Sequence, residues 1–119
     1  MTEQKYELLQ NDAIEHNGRT LYRIKALISF GSVLAGSPGG YIENEKNLAQ
    51  SGNAWVFENA LVYGNALVCG NARVYGDAQV YGNARVYGDA QVYENALVCG
   101  NARVCGNALV YGNARVYGN

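Results

Sequence analysis

The chain has 119 residues, 49% of them hydrophobic, and a formal net charge of −1, which fits one domain whose core is drawn almost wholly from Val, Ala, Leu and Tyr. Its nine basic and ten acidic residues are mixed in both halves, so composition speaks against nucleic-acid binding through a basic field and against an acidic tail. No stretch approaches the apolar length that spans a membrane, and the opening MTEQKYELLQ lacks the charged-then-apolar order of a signal peptide, so the expected location is cytoplasmic.

The first predicted element lies in AIEHNGRTLYRIKALI, residues 13–28. Asn17-Gly18 separates two segments, and Tyr22, Ile24, Ala26 and Ile28 alternate with other residues, which predicts a β-hairpin. His16 stands beside the turn, where it is expected as a solvated loop residue. Further on, Ile42 and Leu48 are six residues apart in an otherwise irregular stretch, as though uneven coils lead into even ones. Residues 1–51 are therefore expected to form an N-terminal cap, and residues 52–119 the main body.

From Gly52 onward Val recurs every six residues from Val56 to Val116, Ala stands two positions before each Val, and Asn or Asp precedes every Ala. Within a hexad, Ala and Val point one way and their neighbours the other, with the period of a strand, and Gly-Asn then supplies a corner. One hexad cannot bury its own Ala and Val, but coils stacked ~4.8 Å apart can. Glu58 and Glu94 occupy the Gly slot, whereas the slot after it holds only Asn or Asp. Asn and Asp tolerate positive φ better than Glu, so the left-handed residue is expected at the Asn/Asp slot.

The phrase VYGNAR resembles the hexapeptide repeat of left-handed parallel β-helices. That resemblance covers residues 52–119 and implies an all-β solenoid of 18 residues per coil, capped by the hairpin. The departure from the family pattern is a Tyr, Cys or Phe directly after the aliphatic residue, which makes the outer surface unusually aromatic. A two-sided solenoid with 12 residues per coil remains open: it would stack Arg73 on Arg85 and Arg103 on Arg115, whereas the 18-residue coil stacks only Arg85 on Arg103. The head YELL…TLYRIKAL…GGYIE followed by GNARVYG repeats is also similar to a group of small phage and prophage proteins of mostly unassigned role.

Many left-handed β-helix proteins are acyltransferases, and the resemblance would then imply a basic His on a coil and loops that interrupt the helix. Here the one histidine is His16 and the repeats run uninterrupted, so no enzymatic activity and no cofactor are expected. Cys69, Cys99 and Cys105 are odd in number and stand in a slot otherwise held by Tyr or Phe, which reads as free thiols. At 18 residues per coil, Cys69 and Cys105 share a face ~10 Å apart and Cys99 lies on another, so neither a disulfide nor a metal site is expected.

The 18-residue register produces two candidate partner-binding features. Phe57, Tyr75, Tyr93 and Tyr111 form an outer ladder flanked by Trp55, Arg73, Gln91 and Leu109, side chains suited to anchoring an interface, although Tyr rows also stack simply to stabilise a sheet. Glu58, Asp77 and Glu94 fall at one corner, an acidic stripe for a cation or for a partner's Arg or Lys. The expected function is a non-catalytic protein-binding module of phage or prophage origin, such as an antagonist of a host protein or defence system. A structural component of a phage particle or filament is the alternative, and a hexapeptide acyltransferase the third. Because NALVYGNARVYGN contains no covering helix, Pro or charged cap, a homodimer is expected through Leu109, Val110, Tyr111, Arg115, Val116 and Tyr117 of two C-terminal coils.

Overall fold

The computed structural model describes residues 4–118; Met1, Thr2 and Glu3 of the opening decapeptide, and Asn119, lie outside that range. Within it the chain is all β apart from one 3-10 turn, Glu45–Asn47. Strands β1 (Tyr6–His16) and β2 (Arg19–Ala26) pair antiparallel, and Asn17 and Gly18 between them hold φ of 52° and 78°. Two positive-φ residues are what a two-residue hairpin loop needs to match the strand twist. The hairpin read from Asn-Gly is thus present, with a register shift between Leu9 and Ala13.

After β3 (Pro38–Ile42) come eleven short strands, one per hexad: β4 (Trp55–Val56), β5 (Leu61–Val62), β6 (Leu67–Val68), β7 (Arg73–Val74), β8 (Gln79–Val80), β9 (Arg85–Val86), β10 (Gln91–Val92), β11 (Leu97–Gly100), β12 (Arg103–Val104), β13 (Leu109–Val110) and β14 (Arg115–Gly118). They sort into three parallel sheets. The hairpin face runs β1-β2-β3-β5-β8-β11-β14, so the hairpin continues a wall of the solenoid. The arginine face is β6-β9-β12 and the ladder face β4-β7-β10-β13.

Arg73 pairs with Trp55 and Gln91, and Arg103 with Arg85. The coil therefore has 18 residues, and the 12-residue alternative is excluded. Ile42 and Leu48 belong to the same inward column: Ile42 pairs with Val62 and Leu48 bridges Val68. Those partners are two residues further away than a regular coil would place them, and the extra length falls between Leu48 and Val56. Inside, every Val from Val56 to Val98 and every Ala from Ala54 to Ala96 is fully buried. Small inward side chains are what let three walls approach one another closely enough to close the column at core density.

Outside the strand pairs, coil-to-coil hydrogen bonds run one way. Leu61 donates to the Ala78 carbonyl at 2.9 Å, Tyr63 to Val80 at 3.0 Å and Asn65 to Gly82 at 2.8 Å. Each coil thus turns extra donors toward its C-terminal neighbour and extra acceptors toward its N-terminal one. The cap meets the acceptor-rich edge of the first coils with side-chain donors, since a buried carbonyl without a partner is costly. Lys5 Nζ donates to the Ala54 carbonyl at 2.8 Å, Asn47 Nδ2 to Ala66 at 2.9 Å, and the Tyr6 hydroxyl to Leu48. Lys5 also sits 4.7 Å from the centroid of Phe30.

The corners correct the expectation about positive φ. The left-handed residue occupies the Gly slot: Gly64, Gly70, Gly76, Gly82 and Gly88 hold φ between 69° and 72°, and Glu58 and Glu94 hold 58° and 61°. A Cβ at this slot points along the stack; on Gly82 it would come within 2.9 Å of the Gly100 nitrogen. Glu58 and Glu94 each face a glycine one coil on and return a hydrogen bond, Glu58 Oε1 accepting from Gly76 N–H at 2.8 Å and Glu94 Oε1 from Gly112 N–H at 3.0 Å. The Asn slot serves a different purpose, a side-chain ladder in which Asn65 donates to Asn83 and Asn83 to Asn101, each at 3.2 Å.

Candidate protein-binding face

On the ladder face the residue after each inward Val points out, and the coil repeat sets the rings about one strand spacing apart. Tyr75 and Tyr93 stack at 4.9 Å between centroids with 3° between planes, and Tyr93 and Tyr111 at 5.3 Å with 11°. Phe57 meets Tyr75 edge-on at 6.2 Å. The Tyr75 hydroxyl donates to Gln91 Oε1 at 2.9 Å, locking two coils together across the outer surface. Burial, then the Tyr93 phenol, push the Tyr75 hydroxyl above its ordinary range, with the Glu58 and Glu94 carboxylates adding to the rise. Arg73 lies exposed beside the rings and makes no ion pair among the described residues.

At the N-terminal end of this face a tight turn closed by reciprocal backbone bonds between Phe30 and Val33 overhangs the sheet. Beneath it is an open cleft of about 330 Å³, bounded by Val33, Asn53, Phe57, Arg73 and Gln91. The overhang overturns one expected contact: Trp55 is only 1% exposed. Phe30 covers its ring edge-on at 5.3 Å and Tyr6 at 6.1 Å. The cap needs a large apolar seat, and Trp55 in the first full coil supplies it, so the indole is unavailable to a partner.

The acidic residues stand on consecutive coils at one corner, as the 18-residue register requires. Glu58 and Glu94 share a row but lie two coils apart with Gly76 between them, and each directs a carboxylate oxygen along the stack to a glycine N–H. Asp77 is exposed at the neighbouring slot, its backbone N–H bonded to the Glu94 carbonyl. No group of three or more His, Cys, Asp or Glu side chains that could hold a metal ion occurs among the described residues.

The hairpin face carries a second aromatic row that the cap partly covers. Tyr63 stacks on Tyr81 at 5.0 Å, while His16 packs edge-on against Tyr63 at 5.3 Å and brings Nε2 to 3.3 Å from Gln79 Oε1. His16 is therefore half-buried against the solenoid instead of solvated, because the hairpin lies along this wall. Leu21, Tyr41, Leu61 and Tyr63 form a small separate cluster there. The residues of the expected junction sit at the other end: Leu109 and Tyr111 are each 53% exposed and Tyr117 72%, Arg115 is exposed, Val116 is half-buried and Val110 nearly buried.

With this geometry in hand, comparison with known proteins places the repeat. Residues 78–94, 90–106 and 102–118 each match the YdcK Beta solenoid repeat. The chain is a hexapeptide-type β-solenoid. Over 56 residues it is 39% identical to the protein named "Uncharacterized acetyltransferase YdcK" of Escherichia coli (strain K12). That stretch takes in 47% of this chain and 17% of the relative, so the chain spans only a small part of the length of the curated relative it matches.

Lys5 and Tyr6, which close the first coil, escaped sequence reasoning. Nothing in their local pattern distinguishes them, since their partners are carbonyls of residues 45 to 54.

Proposed function

We propose that the chain is a non-catalytic protein-binding module whose partner docks on the ladder face, a host protein where the chain comes from a phage or prophage. The observation that carries this reading is the outward ladder of Phe57, Tyr75, Tyr93 and Tyr111, with Arg73 at its side exposed and without an ion pair among the described residues. Stacked phenols on a parallel sheet are already ordered, so a partner would bury aromatic area with little further loss of side-chain entropy. The test is capture from host lysate with the unaltered chain, a Tyr75→Ser/Tyr93→Ser variant and a Cys105→Ser control on another face. One host protein retained by the first and third and lost by the second is expected. Equal capture by all three overturns the reading. Copurification with virions instead would favour the structural-component alternative.

Acyl transfer is the third reading and takes its support from the name of the Escherichia coli relative. Against it stands the engagement of His16, the one histidine of the chain, with Gln79 and Tyr63. Release of free thiol from acetyl-coenzyme A by the purified chain would overturn the non-catalytic reading.

We also propose that copies of this chain pair through the coil that carries Leu109, Val110, Tyr111, Arg115, Val116 and Tyr117. The exposure of Leu109, Tyr111 and Tyr117 supports it. Two such coils meeting about a two-fold axis would both bring excess amide donors, so the junction rests on side chains and not on a shared backbone ladder.

A further inference from the structure

We propose that Arg85 and Arg103, on the arginine face, together bind a phosphate group. The two arginines are direct partners across β9 and β12, which sets their Cα atoms about one strand spacing, ~4.8 Å, apart. Both side chains are exposed, and neither makes an ion pair among the described residues. Like charges directly opposite one another destabilise a sheet. On the other two faces the equivalent outward row avoids that cost: Arg73 stands between Trp55 and Gln91, and Arg115 next to Leu97. Only here do two guanidiniums share a row.

The surroundings leave that charge uncompensated. The corner leading into the face carries the neutral ladder of Asn65, Asn83 and Asn101. Asp89, on the corner that follows, accepts from Asn71 Nδ2 at 3.2 Å and borders the cleft of the ladder face. Both arginines line an open cavity of about 220 Å³, together with Leu67, Cys69 and Tyr87. Tyr87 brings a phenol to the cavity wall, and a phenol keeps its proton at neutral pH.

Two guanidiniums lining one cavity bring several N–H donors and two positive charges to it. A phosphate dianion matches both, its oxygens accepting from each fork, whereas a monocarboxylate matches one. The bound group could be free phosphate or a phosphoryl carried on a small molecule. The two sources make the same contacts and differ only in what extends out of the cavity.

The test is titration of the full chain with inorganic phosphate, O-phosphoserine and acetate, followed by the arginine Nε–H resonances in NMR spectra. Saturable shifts of Arg85 and Arg103 with both phosphates, and weaker ones with acetate, are expected. Arg85→Gln and Arg103→Gln should each weaken binding by about tenfold, while Arg19→Gln, at the hairpin on another face, leaves it unchanged. Gln occupies the same outward slot at Gln79 and Gln91, so both variants are expected to fold, which circular dichroism verifies. Tighter binding of O-phosphoserine points to a carried phosphoryl, and equal binding to free phosphate. Absence of saturable shifts, acetate binding as tightly as phosphate, or indifference to both Gln variants overturns the proposal.

Discussion

The carboxylate of Glu58 lies 2.8 Å from the backbone nitrogen of Gly76, one coil further along, while Glu58 itself holds a left-handed backbone at φ 58°. The strain of a non-glycine residue in that region and the gain of a charge-assisted hydrogen bond to an amide therefore meet in one side chain. Glu94 repeats the arrangement with Gly112 at 3.0 Å, so the device recurs two coils on.

Glu58→Ala keeps the Cβ and loses the bond, which is exposed to water, so it should destabilise by about 0.5–1.5 kcal/mol. Glu58→Gly loses the bond but relieves the backbone, and should cost less than Glu58→Ala. Urea unfolding of the two variants ranks them. An alanine variant as stable as the unaltered chain would remove the corner bond from the account.

Val86 is fully buried in the middle of the inward column, whereas Tyr87 points outward. Val86→Asp places an unpaired carboxylate there, at a cost of several kcal/mol against a total stability of about 5–15 kcal/mol, and the β-sheet circular dichroism signal should collapse. Tyr87→Ser should retain it. Equal loss in both would reverse the in and out assignment of the hexad.

Lys5 links stability to pH. Burial lowers its pKa from 10.5 to about 8, so between those values the folded chain has released a proton that the unfolded chain still holds. Stability then rises with pH through this window. The tyrosines act in the opposite sense near their own titration, because Tyr6 and Tyr75 are raised by burial above the ordinary phenol range. Comparison with Lys5→Met isolates the lysine: the unaltered chain should gain stability relative to the variant between pH 8 and pH 9.5. Parallel unfolding curves across that range would show that Lys5 stays charged in its seat.

Cys69, Cys99 and Cys105 are free, the first two half-buried and the third exposed. Thiol titration of the denatured, unreduced chain should find three reactive groups. In the folded chain Cys105 should react first, because access governs the rate once the thiolate forms. Equal rates for all three would mean that the outer rows are open to solvent throughout.

For the proposed pairing of copies, Val110→Lys/Val116→Lys places repelling charges in the junction. Light scattering at tens of micromolar should give a dimer for the unaltered chain and a monomer for the variant. A dimeric variant would move self-association to the ladder face.

The amino-acid sequence by itself determined the repeat and most of its geometry. Val every six residues with Ala two before it can bury both only when coils stack, and Asn17-Gly18 with φ above zero at both positions is a local preference that needs no distant partner. Stacking Phe57 under Tyr75 required the coil length, which the like-charge argument at Arg85 and Arg103 favoured only weakly and the strand register decided. Tertiary structure alone decided what the cap touches. Trp55 stands at the outward position of its hexad and reads as surface, yet Phe30 and Tyr6 cover it, and His16 reads as a turn residue until the hairpin lies against Tyr63. Likewise Glu58 looks unfit for positive φ when judged by its own backbone preference, and becomes acceptable once Gly76 stands opposite with a free N–H. The physical reason is common to all three: burial by a cap, contact across a wall and hydrogen bonding to the next coil are interactions between residues about 18 or more positions apart, and hexad periodicity carries no information about them.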